Sequence, residues 1–263
     1  MPASSPPPLA EWLAAHAESH QRLTAIVEQL RPEEIAGPSY DTEWSIAQVL
    51  SHLGSGAQIF GLFLESGLAG SPAPGMVEFQ PIWDTWNAKS PADQAADYLS
   101  TEQAFVERLA ALSDDERQNW RLDMFGSEQD LSGFLRFRVG EHALHTWDVE
   151  VIGDPDATVA QSAADLMVDH VGQLASMTGK VPEQDLDVTI ATVAPSRRFT
   201  IAAVDGTVEV RTEDGEEGPQ ATLEFPAESF IRLVYGRLDP EHTPASVGQG
   251  DVVDVLRSTF PGF

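Results

Sequence analysis

The sequence predicts an α+β protein of two domains: an up-down bundle of four helices, then a small α/β domain. Three observations predict this. Four long stretches between residues 9 and 155 carry apolar residues at helical spacing. Short runs rich in β-branched residues, separated by turn residues, begin only at Val188. The two patterns are segregated along the chain, which argues for separate units with a boundary near 155–185. The expected division is a flexible tail at 1–8, a helical domain with a following helix at 9–178, and an α/β domain at 179–263.

The elements follow in order. Over residues 9–30, Trp12, Leu13, Ala17, Leu23, Ile26, Val27 and Leu30 form one apolar stripe, and Pro32 limits the helix. Gly37-Pro38 is a loop. Ser45 or Thr42 caps a second helix reaching about residue 68, with Ile46, Val49, Leu50, Leu53, Ala57, Phe60 and Leu64 on one face. Residues 70–90 hold Gly, Pro, Trp83 and Trp86, too long and too apolar for an idle connection, and suit a pocket wall. Ser90 and Pro91 open a third helix to about residue 112, and Ser113 starts another. Residues 120–130, with Trp120, Met124 and Phe125, read as irregular. A fourth long helix spans 131–152 and stops at Gly153-Asp154-Pro155. Four amphipathic helices joined by loops pack naturally as a bundle.

A fifth helix is expected at 159–177. Strands follow at 188–193, 199–204, 208–212 and 221–225, with Asp205-Gly206 as a hairpin turn and a charged loop starting at Asp214-Gly215. Helices at 227–235 and 251–260 complete the chain.

Composition narrows the function. Of the 263 residues, 42% are hydrophobic, enough for a packed core. There is no cysteine, so any metal must sit on His, Asp or Glu, and any thiol chemistry must use a thiol carried by a ligand. A formal net charge of −27 without a run of Lys or Arg excludes nucleic acid as an expected partner. No apolar stretch reaches the roughly 20 residues of a membrane span. The first residues lack the cationic start and apolar run of a signal peptide. A soluble cytoplasmic protein, monomer or homodimer, is the expectation.

Glu141 and His145 stand four apart in the fourth long helix, so they are neighbours on one face and can reach one divalent ion. A third ligand must come from elsewhere, and His52 on the second long helix is the best candidate; bundle cores build such sites from facing helices. Three protein ligands would leave open positions, the arrangement of a catalytic rather than a closed structural site. The same spacing also occurs on helices that bind nothing. His16 and His20, also four apart, are the rival pair, but Glu18, Ser19, Gln21 and Arg22 make that face look solvated. His142 points roughly 100° away from Glu141 and reads as a packing or surface residue. His170 and His242 stay unassigned. Asp148 could accept from a ligand imidazole or be a plain helix carboxylate. Arg138 could orient Glu141 or pair with another acid. Trp44, Trp83, Trp86 and Trp147 read as core before pocket lining.

Two segments carry a resemblance: Trp44-Ser45-x-x-x-Val49-Leu50-Ser51-His52-Leu53, and Gly140-Glu141-His142-x-x-His145-x-Trp147-Asp148. Together they resemble the mycothiol-dependent maleylpyruvate isomerase family, within the DinB-like superfamily, over residues 9–155. The resemblance implies a bundle holding zinc (Zn2+) or another divalent metal on His52, Glu141 and His145. It also implies a sterol-carrier-like α/β domain after the bundle, which contributes an active-site arginine. The stretch 221–237 is similar to that domain in pattern, and Gly236-Arg237 marks Arg237 as the match.

The implied activity is that of a metal-dependent enzyme activating mycothiol as a thiolate against a small electrophilic substrate. It would act as an S-transferase or as a cis–trans isomerase of the maleylpyruvate type. A metal-dependent hydrolase on the same bundle, or a non-catalytic small-ligand-binding protein, are the alternatives.

Overall fold

The computed structural model describes residues 7–41, 43–124, 126–184, 186–213 and 222–262. Most of the tail expected at 1–8, the alternative cap Thr42, Phe125, the loop at Asp214-Gly215 and the strand start at Ala221 lie outside the described residues. Contacts divide the chain into two compact units, Pro7–Ala157 and Thr158–Phe263.

The first unit opens with α1 (Leu9–Val27) and the short α2 (Pro32–Ile35), which starts on its proline. The long α3 (Ile46–Ala69) follows. At its start the Ser45 hydroxyl accepts from the Gln48 N–H at 3.2 Å while the Gln48 side chain accepts from the Ser45 N–H at 2.9 Å, a reciprocal capping box. Gly70, at φ +61°, ends the helix in the left-handed conformation. Next come α4 (Met76–Asn87), α5 (Pro91–Ala110) capped by Ser90, and α6 (Asp114–Asn119) capped by Ser113. A short antiparallel hairpin, β1 (Arg121–Met124) and β2 (Ser127–Asp130), leads into α7 (Leu131–Glu150), whose first turn is capped by Asp130.

The expected four-helix bundle is made by α1, α3, α5 and α7. The residues that meet give the helix directions. Ser19 meets His142 and Arg22 meets Glu150, so α1 and α7 run parallel. His52 faces Glu141 while Phe60 faces Phe134, so α3 and α7 run antiparallel. His20 lies against Tyr98 and His16 against Phe105, so α1 and α5 are also antiparallel. The helices therefore run up, down, down, up, which keeps the expected four-helix bundle but departs from the simple up-down order the sequence suggests, since α3 and α5 run parallel. This order needs a long return between α3 and α5, which the 70–90 connection supplies by carrying α4 across the bundle. Gly54 lets α4 come close: a Cβ there would sit 2.2 Å from the Trp86 ring. Trp86, Tyr98, Leu50, Leu53 and Leu23 pack into one core.

The second unit begins with α8 (Gln161–Met167), a 3₁₀ turn at Val168–His170, and α9 (Val171–Thr178). A four-stranded sheet follows, from β3 (Asp187–Val193), β4 (Arg197–Val204), β5 (Thr207–Thr212) and β6 (Leu223–Pro226). Its order is β5-β4-β3-β6, with β6 parallel to β3 and the other pairs antiparallel. Asp205 and Gly206 turn the β4–β5 hairpin at φ +49° and +80°, as that dipeptide predicts. After β6 come α10 (Ala227–Val234) and α11 (Asp251–Thr259). Phe199, Phe225 and Phe230 centre the core, with the Phe199 and Phe230 rings 4.9 Å apart.

The division at 157/158 falls at the early edge of the expected 155–185 window. It moves the helical segment at 161–178, which the sequence assigned to the 9–178 domain, into the second unit. The reason is packing: α8 lies on α10, and α9 lies on β5 and α10, covering the sheet.

Candidate metal centre

Two helices and one loop build the centre. The capping box at Ser45 fixes where α3 starts and so where His52, about two turns in, projects. α7 presents Glu141 and His145 one turn apart, and its antiparallel run brings that turn opposite His52. His52 Nε2 lies 3.1 Å from Glu141 Oε2, and His145 Nε2 lies 3.9 Å from the same oxygen. One potential ligand atom from each residue falls within 4.8 Å of the others, the only such cluster of three or more His, Asp or Glu among the described residues. Two imidazole nitrogens and one carboxylate oxygen suit zinc or a similar divalent ion, so the donor set fits such a group.

The surroundings are asymmetric. The side chains of His52 and Glu141 are 37% and 42% exposed, whereas that of His145 is 10% exposed. One side of the cluster is therefore open. Trp44 closes another: its ring stacks on His145 at 5.9 Å and 22°, and lies 5.2 Å from His52. The loop that carries Trp44 is pinned from within by Ser39, whose hydroxyl donates to the Trp44 carbonyl at 2.9 Å. It is pinned to α7 by the Tyr40 N–H, which donates to the Asp148 carbonyl at 3.0 Å. Desolvation tends to raise the Glu141 pKa, but the His52 hydrogen bond and the charges of His145, His52 and Arg138 outweigh it and lower the carboxyl to about 2.

Residues 16–150, just over half of the chain, match the family described as the mycothiol maleylpyruvate isomerase N-terminal domain. The chain belongs to this family. Among solved structures it is similar to the crystal structure of the mycothiol-dependent maleylpyruvate isomerase, at 14% identity and TM-score 0.66, over 89% of this chain and 91% of that one. It is likewise similar to a mutant of that isomerase, at 13% identity and TM-score 0.65, over 88% and 90%. At such identities the likeness speaks for the fold. No curated protein sequence matches the chain.

In this family member the rival histidines serve another purpose. His16 and His20 are buried, as is Ser19, and His20 Nε2 pairs with the Gln103 side chain at 3.0 Å, so the solvated face that Glu18, Ser19, Gln21 and Arg22 suggest does not include them. His16 Nε2 lies 2.9 Å from Glu102, a fully buried carboxylate that also pairs with the guanidinium of Arg138. Burial pushes His16 below the ordinary histidine range, against the raising effect of Glu102. Burial alone would raise Glu102, but Arg138 and His16 hold its carboxyl well below the usual carboxylate range. Arg138 thus pairs with Glu102 and also donates to the Leu53 carbonyl at 3.0 Å, beside His52 in the chain. His142 is buried between Ser19 at 2.8 Å and Tyr98 at 2.9 Å.

Arg237 follows Gly236, which at φ +73° turns the chain just after α10. One of its guanidinium nitrogens donates to the Tyr235 carbonyl at 3.0 Å. Trp86 and Trp147 are core residues, as expected, whereas Trp44 lines the site. Sequence spacing gave no sign of Trp44's role, because the loop bonds that place it are tertiary.

Proposed function

We propose that the protein is a metal-dependent enzyme that uses mycothiol to isomerise a cis-unsaturated acid of the maleylpyruvate type. His52, Glu141 and His145 would hold zinc or a related divalent ion. The observation that carries this reading is the convergence of those three donors beside an open face. When bound there, a divalent ion supplies a Lewis-acidic centre that favours the thiolate form of an incoming thiol.

The chain's own residues prepare that position. With an ion bound, His52 and His145 would offer Nε2 lone pairs and Glu141 a charged oxygen, the His52–Glu141 hydrogen bond giving way to the ion. Trp44 excludes water from one side of both imidazoles, and the exposed edges of His52 and Glu141 leave an approach. With no cysteine in the chain, the reacting sulfur arrives with the ligand. The fork of Arg237 suits a substrate carboxylate, and it is proposed to hold one.

The test is metal analysis and thiol-dependent turnover of the purified protein. His52→Ala and His145→Ala are expected to lose the bound metal and the turnover while keeping their helical circular dichroism. A full metal equivalent retained in both variants would overturn the ligand set, and turnover without any thiol would favour the hydrolase. Product analysis separates the two thiol outcomes: an isomerase returns free mycothiol with the trans acid, and an S-transferase leaves the thiol on the product. Arg237→Ala is expected to raise KM for the acidic substrate with a smaller change in kcat; an unchanged KM would remove its anchoring role.

A further inference from the structure

Asp148 sits one turn beyond His145 and is fully buried. Its Oδ2 lies 2.8 Å from His145 Nδ1. The geometry points to Asp148 as the positioning residue that fixes the tautomer and the angle of His145, and so the direction in which its Nε2 lone pair is offered. This inference rests on the metal-centre reading above.

The chemistry is one-directional. A carboxylate oxygen accepts and a ring N–H donates, so between the two neutral tautomers the 2.8 Å contact selects the one with the proton on Nδ1, which leaves the lone pair on Nε2. That lone pair lies on the side of Glu141 Oε2 and of the His52 ring, whose centroid is 4.8 Å from that of His145. A histidine ligand backed by a carboxylate is also a stronger donor, and loss of such a partner commonly weakens metal affinity by about 10–100-fold. Asp148 acts a second time through its backbone, because its carbonyl accepts the Tyr40 N–H and so ties down the loop bearing Trp44. One residue therefore sets the His145 ring from its edge and anchors the loop that stacks on its face. A side-chain substitution separates these two actions, since it leaves the carbonyl in place.

Two measurements test this. The first is nitrogen NMR of the imidazoles in metal-free, full-length protein, which reads the tautomer directly. His145 is expected in the form protonated at Nδ1 in the native chain and as a mixture in Asp148→Ala. A native His145 protonated at Nε2 would overturn the proposal without any variant.

The second measurement is zinc affinity, by competition with a chromophoric chelator, for the native chain, Asp148→Asn and Asp148→Ala. A loss of about 10–100-fold is expected in Asp148→Ala, with a smaller loss in Asp148→Asn, whose amide oxygen still accepts. Unchanged affinity in a folded Asp148→Ala protein would overturn the proposal, because a purely structural carboxylate would lower stability and leave zinc binding alone. If the native chain binds no zinc while its His145 tautomer is as expected, the metal reading fails and the orienting role of Asp148 stands.

Discussion

Arg138 is the residue on which the interior of the bundle turns. It joins α7 to α5 through Glu102 and to the backbone of α3 through Leu53, just after the candidate ligand His52. Removing one member of a buried ion pair strands the other charge, which costs about 3–5 kcal/mol. Arg138→Met is therefore expected to lower unfolding free energy by about that amount in urea titrations, and Glu102→Leu combined with it to recover most of the loss. If the double variant were no more stable than Arg138→Met, the stranded charge would not be the cause. At this scale the candidate ligands were legible, because Glu141 and His145 share a helix face and spacing exposes that. The roles of Arg138, His16, His20 and His142 were not. Their partners lie on other helices, and a buried polar residue with a distant partner leaves no periodic mark in its own segment.

Among the elements, the α3–α4 contact is one at which a single atom decides the packing. A methyl group at Gly54 would enter the Trp86 ring, which is itself held by its Nε1 donating to Gln58 at 3.1 Å. Gly54→Ala is expected to displace Trp86 and destabilise the protein by about 1–3 kcal/mol, read as a lower midpoint in thermal unfolding. An unchanged midpoint would mean that α4 can shift without loss. From the sequence α4 is only a pocket-like connection, since Pro81 and the preceding glycines and prolines argue against a helix. The helix forms all the same, because Trp86 inserts into the core and its tertiary contact outweighs local propensity. The β1–β2 hairpin was not legible because its strands are only four residues long: β1 alternates exposed and buried side chains, but over too few residues to stand out, and β2 is polar and mostly exposed. Two long bundle helices, by contrast, were visible almost to their caps, since Ser45 and Ser90 each announce a start that the structure keeps, as Ser113 does for the short α6.

For the whole molecule, the division at Ala157 predicts a separable bundle. All three candidate ligands, Asp148 and Trp44 lie within Pro7–Ala157. That fragment, made alone, is expected to fold as a helical protein and bind one divalent ion with an affinity close to that of the intact chain, measured by calorimetric titration. Loss of binding in a folded fragment would show that the centre depends on the second unit. The two-domain plan was legible because helical and strand periods are segregated along the sequence. The exact border was not, because the segment at 161–178 is apolar and helical like the bundle, and only its packing on the sheet and α10 assigns it.

The up-down-down-up order also sets when the centre can come into existence. His52 is made early, but its counterparts lie on the last helix of the bundle to leave the ribosome. A nascent chain that stops short of Glu141 carries only one of the three candidate ligands. If a divalent ion binds as proposed, its three ligands would be complete only once α7 has been made.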